Sequence, residues 1–255
     1  MNPIAFEIGP FAVRWYGVLI ASAFMIGILG TSRVAKQQGI NEDYYLNTVL
    51  ACIVSAIVGA RLYYVLFQWA YYRTHPEEII AIWHGGLAVH GGILAGLLAL
   101  YLGGRYYRLR FWQMADIIAP FLILGQAIGR WGNFFNQEAY GFEVSKAQIP
   151  WAMYIDGAYR HPTFLYESVW NFCGFLILWG ASKNRKLREG DIALLYFVYY
   201  SVGRFIVESF RTDSLMIGPL RIAQVVSIGL IALAIVLYIV RRPEAPSRTT
   251  FFKEE

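Results

Sequence analysis

Seven runs of about twenty mostly apolar residues dominate this chain, at roughly 13–30, 44–66, 86–103, 112–130, 164–181, 191–209 and 222–240. A helix of some twenty residues matches the hydrocarbon thickness of a bilayer, about 30 Å. Inside lipid every backbone N–H and C=O needs an internal partner, which a helix supplies. The composition agrees: 57% of the residues are hydrophobic and 15% charged, against about 25% charged in soluble domains. The expectation is an all-α polytopic membrane protein with about seven transmembrane helices. No Ser- or Pro-rich linker and no internal repeat separates the runs, so residues 1–255 read as a single integral-membrane domain. The first run follows Glu7 and Arg14 without a basic leader or an Ala-x-Ala site, and reads as a retained helix.

Orientation follows from the basic residues. Alternate loops carry Arg33 and Lys36; Arg105, Arg108 and Arg110; Lys183, Arg185, Lys186 and Arg188; and Arg241, Arg242, Arg248 and Lys253. These thirteen face only seven on the other side: Arg14, Arg73, Arg130, Lys146, Arg160, Arg211 and Arg221. The richer side is cytoplasmic, which puts the N-terminus outside and the C-terminus inside. The net charge of +5 is thus a topology signal, and no nucleic-acid partner is expected. Residues 131–163 form the largest outer piece, a small cap with a short strand and turn at 150–157. Thr74 or His75, followed by Pro76 and two acids, reads as the start of a short interfacial helix.

Against this apolar background, the stretch from Gly125 to Gly141 is dense in polar groups and glycine. Arg130, Asn133, Asn136 and Glu138 supply donors and acceptors among four glycines. An interfacial turn with aromatic anchors is the plainer reading. Other ionisable residues within the runs each need a reason, because a charge at mid-bilayer costs about 2.5–3.5 kcal/mol on insertion scales. They are Arg61, His90, Glu167, Arg204 and Glu208, with Arg204 and Glu208 four apart on one helix face. With the orientation above, all of them, together with Arg130 and Tyr16, fall toward the outer leaflet. That describes a chamber open to one face. For each the alternative is structural: a buried Arg204–Glu208 pair, a snorkelling Arg61, or a packing role for His90 beside Gly91 and Gly92. His75 and His84 read as interfacial. Asp116 and Asp191 each suit the N-terminus of their own helix. Cys52 and Cys173 read as small buried hydrophobes, with no disulfide framework or metal spacing.

No Gly-x-Ser-x-Gly elbow, His-Glu-x-x-His or phosphate loop is present, and no Cys sits beside a His. No metal and no cofactor is called for. Guanidinium groups suit lipid phosphate by forked hydrogen bonds. A histidine titrating near neutrality suits proton transfer. The residues alone reach action on a phospholipid headgroup from the outer side.

Gly129-Arg-x-Gly-Asn-Phe-x-Asn-x-Glu-x-x-Gly141 resembles the signature of the bacterial prolipoprotein diacylglyceryl transferases at every fixed position. Similar stretches are Trp15-Tyr-Gly17, Gly59-Ala-Arg-Leu62, His90-Gly-Gly92, His161-Pro-Thr163 with Leu165-Tyr-Glu167, and Gly203 to Arg211. The resemblance implies transfer of diacylglyceryl from phosphatidylglycerol to the lipobox cysteine thiol of an exported prolipoprotein. It implies an enzyme of the bacterial plasma (inner) membrane acting toward the outer leaflet, with membrane lipids as surroundings. By that similarity His90 is the base, and Arg130 and Arg204 serve the phosphate. Tyr16, Arg61, Asn133, Asn136, Glu138, Gly141 and Glu208 bind substrate or shape the site. His84, before Gly85-Gly86, departs from the usual pattern. A lipid transporter or non-catalytic phospholipid-binding protein is the alternative, though the missing repeat argues against alternating access.

Overall fold

In the computed structural model of the protein each apolar run is helical: α1 Trp15–Gln37, α2 Glu42–Phe67, α4 Val89–Tyr107, α5 Phe111–Asn136, α6 Thr163–Ala181, α7 Asp191–Glu208 and α8 Ile222–Arg241. A four-residue helix, α3 (Trp69–Tyr72), follows α2. The structure describes residues 2–9, 11–184, 186–241, 243 and 245–247. Arg185, Arg242, Arg248 and Lys253, part of the basic asymmetry, lie outside the described residues. Among the described residues α1, α2, α5 and α8 are long and apolar enough to cross a membrane. Their outer faces stay bare of protein: Phe24, Val54, Leu66, Leu122 and Val236 are all exposed. Such a surface suits hydrocarbon, and this is a membrane protein.

The fold is mostly helical and not purely so, because three antiparallel hairpins flank the helices. They are β1 (Ile4–Ile8) with β2 (Phe11–Arg14), β3 (Met153–Ile155) with β4 (Ala158–Arg160), and β5 (Met216–Ile217) with β6 (Leu220–Arg221). The expected strand and turn near 150–157 is the β3–β4 hairpin. The other two escaped sequence reading, since strands of two to five residues leave little periodicity. The cap also starts later than residue 131. α5 continues through Arg130 to Asn136, so the Gly-rich stretch is first helix and only then loop. The interfacial segment is two short 3-10 helices, Pro76–Ile80 and Ile82–His84. Thr74 does not cap them; its Oγ1 bonds back to Tyr71 O at 2.8 Å.

Two compact units divide the chain: Met1–Val34 with Ala115–Glu255, and Ala35–Met114. In the smaller unit α2 packs along α4 at a crossing of small residues. A Cβ on Gly59 would lie 2.7 Å from Gly91 O, so bare backbone is required there. In the larger unit Phe134, Ile155 and Phe164 form a buried cluster that seats the β3–β4 hairpin on α5 and α6. Asp116 caps α7 and not its own helix: its carboxylate accepts Gly190 N and Ala193 N, both at 2.9 Å. Asp191, the first residue of α7, accepts Arg188 N of the preceding turn at 2.8 Å. Cys52 is half-buried, whereas Cys173 is exposed on α6 rather than buried.

Candidate functional site

The larger unit gathers three arginines around two buried glutamates. Arg130, six residues before the end of α5, meets Glu167 of α6 through Nη2 at 2.5 Å. Arg204 of α7 meets the other oxygen of Glu167 at 2.9 Å and Glu208 at 2.6 Å. Arg211, just past α7, lies 3.5 Å from Glu167 and forks onto Asp213 at 2.7 and 2.9 Å. The side chains of Glu167 and Glu208 are 6% and 2% exposed, whereas Asp213 is half exposed at 50%. Buried charges persist only when paired and hydrogen-bonded. Here each carboxylate holds guanidiniums in fixed planes, and three positive charges face two buried negative ones. Asp213, paired with Arg211 at the exposed end, brings the whole cluster to neutrality, while Arg130 and Arg204 are held among buried carboxylates with guanidinium donors suited to a phosphoryl oxygen.

The loop after α5 is fixed beside this row. Asn133 Nδ2 and Asn136 Nδ2 donate to Glu138 Oε1 at 3.0 and 3.2 Å. Glu138 N closes the helix end onto Asn133 O at 3.0 Å. Gln137 and Ala139 take positive φ of 53° and 56°, a strained turn for side-chain-bearing residues. Thr163 Oγ1 clamps the turn by donating to Ala139 O at 2.6 Å. Gly141 then bridges Arg211 as an isolated β pair and donates to His161 O at 3.0 Å. Any Cβ there would sit 2.6 Å from His161 Cβ and 2.8 Å from Phe210 O, so only glycine fits. Tyr16, at the start of α1, lays its ring against Gly132, where a Cβ would come within 3.0 Å of Tyr16 Cε2.

Of the expected site residues, the structure therefore brings Tyr16, Arg130, Asn133, Asn136, Glu138, Gly141, Arg204 and Glu208 into one unit. The Arg204–Glu208 pair is not an isolated helix staple, because Glu167 and Arg211 extend it. Glu167, visible in the sequence as an intramembrane acid, was given no site role there, and neither was Arg211. The signal for Arg211 was present: with Arg204 and Glu208 it falls at i, i+4 and i+7 on one helical face. Arg221 was missed too; its Nη1 donates to Glu208 O and, at 3.3 Å, to Arg211 O. It thereby ties the end of α7 to the start of α8.

Arg61 and His90 belong to the smaller unit. Arg61 is buried and donates all five of its N–H groups to backbone carbonyls of one loop. Nε reaches Ile79 O at 2.9 Å, Nη1 reaches Gly85 O and Gly86 O at 2.6 and 2.9 Å, and Nη2 reaches Glu78 O and Ala81 O at 2.5 and 3.3 Å. It neither snorkels nor keeps a donor for a lipid; it holds the 78–86 loop in shape. His90, the second residue of α4, is exposed with its ring 6.3 Å from that of Tyr63. The adjoining Gly91 sits in the α2–α4 crossing, which fixes the backbone beneath the imidazole. His84 pairs with Glu78 at 2.9 Å, and His75 stacks on Tyr71 at 4.5 Å, so both are engaged within their own segment.

A family model described as prolipoprotein diacylglyceryl transferase matches residues 3–240, which include every site residue named above. The chain belongs to this family. Among the sequences similar to it is one from Bacillus mycoides (strain KBAB4), 48% identical over 251 residues, 95% of this chain and 93% of that one. Sequences from Bacillus velezensis (48% over 252 residues) and Bacillus cereus strain Q1 (47% over 251) cover the same shares. All three are named phosphatidylglycerol–prolipoprotein diacylglyceryl transferase. A family resemblance carried by scattered short motifs thus extends along nearly the full length.

Proposed function

We propose that this protein transfers the diacylglyceryl group of phosphatidylglycerol to the lipobox cysteine thiol of an exported prolipoprotein. The thiolate sulfur attacks the glyceryl carbon, the carbon–oxygen bond to phosphate breaks, and glycerol phosphate leaves. The observation that carries this reading is the buried Arg130–Glu167–Arg204–Glu208–Arg211 row, in a chain whose relatives bear that enzyme's name. The leaving phosphate gains negative charge as the bond breaks. Guanidiniums already fixed by carboxylates stabilise that charge without reorganising. Arg130 and Arg204 hold the phosphoryl oxygens through donors that do not face Glu167 or Glu208. His90 takes the thiol proton, since a free thiol, with a pKa near 8.5, is mostly protonated at neutral pH. Tyr16, Asn133, Asn136, Glu138, Gly141 and Glu208 shape the site, and Arg61 fixes the 78–86 loop that precedes His90 in its own unit.

The chain acts as a single integral-membrane domain of the bacterial inner membrane, with seven spans and the N-terminus outside. The cap faces outward and the site opens toward the outer leaflet. Support comes from seven helices of 18–26 residues and from the thirteen-to-seven basic asymmetry. Cysteines introduced at Lys146 and Lys186 label with an impermeant thiol reagent from opposite faces; labelling from one face overturns the topology.

The reaction is tested with two lipobox peptides that differ only in Cys or Ser at the acceptor. Cys peptide gains a diacylglyceryl thioether, and Ser peptide stays essentially unmodified because a hydroxyl ionises far less readily. Headgroup binding without any product would instead mark a phospholipid-binding protein or a transporter.

A further inference from the structure

One helical turn along from the ionic row, α5, α6 and α7 each carry a polar side chain with an unmatched buried atom. Gln126 precedes Arg130 by four residues, Asn171 follows Glu167 by four, and Ser201 precedes Arg204 by three. The contacts show α6 running antiparallel to both neighbours. Ser168 Oγ donates to Ala127 O at 2.9 Å, while a Cβ on Gly174 would reach Ile123 Cδ1 at 2.6 Å and Tyr199 Cε1 at 2.5 Å. These steps away from the row therefore all go the same way along the three helices. They land between the row and the Gly174 contact.

Asn171 and Ser201 are 2% and 1% exposed. Among the described residues Asn171 Nδ2, Ser201 Oγ and Gln126 Oε1 are buried without a hydrogen-bond partner, and Gln126 Nε2 donates to Tyr196 OH at 2.9 Å. Buried polar atoms are seldom left unmatched, and three at one level of a packed interior point to a shared partner. The set offers a donor, an acceptor and a hydroxyl that is either, with no charge. One water molecule satisfies all three, since interior waters make about three such bonds.

We infer that Gln126, Asn171 and Ser201 hold a single buried water that joins α5, α6 and α7 beneath the ionic row and positions Arg130, Glu167 and Arg204. The water site rests on the packing alone; its effect on catalysis rests on the transferase reading. The three side chains are positioning residues, one turn removed from any reacting atom.

The test uses the purified full-length protein with Ser201→Ala, Asn171→Leu, the double variant and Ser201→Thr. Thermal midpoint and transfer kinetics are measured for each. Each of the first two changes lowers the midpoint, and the double variant is no worse than the poorer single, because the water leaves with its first lost partner. Their kcat falls about tenfold or more at a little-changed KM, as expected when reacting groups are slightly misplaced. Ser201→Thr, which keeps the hydroxyl, stays near wild type. A rise in midpoint for Ser201→Ala and Asn171→Leu overturns the water, because removing unmatched polar atoms from a dry interior is stabilising. Additive losses in the double variant overturn the shared partner. A lowered midpoint with unchanged kcat overturns the positioning role. If wild-type protein shows no transfer at all, the midpoints still decide the water site independently.

Discussion

Glu167→Gln keeps the side chain's shape and removes the charge that Arg130, Arg204 and Arg211 share. In the native row Glu167 meets their nitrogens at 2.5, 2.9 and 3.5 Å and is 6% exposed, so water screens little of that interaction. After the change three guanidiniums face one buried carboxylate, and the new amide N–H group points at donors. Removing one partner of a buried ion pair typically costs about 3–5 kcal/mol. For a chain of this size that lowers the thermal midpoint by on the order of 10 °C. The guanidinium planes also lose their anchor, and one mis-set donor at developing charge costs about 10²–10³ in rate. Asp213→Asn is the control: Asp213 is 50% exposed, and an exposed pair contributes at most about 1 kcal/mol. The assay is a thermal melt with a cysteine-specific fluorophore, beside initial rates of lipobox-peptide modification. A Glu167→Gln protein that melts within two or three degrees of wild type and retains its rate would refute the network's role.

Arg61→Lys keeps charge but replaces five directed donors by three, so the 78–86 loop loosens; amide exchange at Ala81 to Gly86 rises while α7 amides stay protected. Gly141→Ala forces a methyl against Phe210 O and His161 Cβ, and both melting midpoint and transfer rate fall, the rate by at least about 10² if the turn shifts. Burial holds the His161 imidazole below the ordinary histidine range, so the native state favours the neutral ring. Its contribution is complete above the unfolded value of about 6.5 and is lost as pH falls from there toward the lower native value. Melts between pH 7.5 and 5 should show this slope, and His161→Gln should flatten it.

The helices were legible because length and hydropathy decide them almost alone: Asp191–Glu208, for example, is an apolar run with a glycine before it and polar residues after. Arg204 and Glu208 were legible as a pair for the same reason, through a four-residue spacing on one face. Glu167 was visible as an intramembrane acid but not as a hub, because its partners lie 37 residues away in each direction along the chain. Arg211 was counted as a loop charge, since sequence does not say that the chain past α7 folds back onto Gly141. Arg61 illustrates the converse. Sequence makes any intramembrane arginine a ligand candidate, and only the path of the 78–86 loop reveals that five carbonyls already satisfy it. The hairpins β1–β2 and β5–β6 were hidden by their brevity.

The central claim is that fixed arginines stabilise the departing phosphate while His90 removes the thiol proton. It is tested most directly by transfer rates to a Cys lipobox peptide across pH 6.5–9 for wild type, His90→Gln, Arg130→Lys and Arg204→Lys, with phosphatidylglycerol binding measured alongside. The account predicts a thioether product for wild type and rates lower by about 10²–10³ for the two lysine variants at every pH. It predicts a His90→Gln defect of roughly 10²–10⁴ near neutrality that shrinks as the thiol ionises unaided, with lipid binding retained. Full neutral-pH activity in His90→Gln, or near-native rates in both lysine variants, would contradict it.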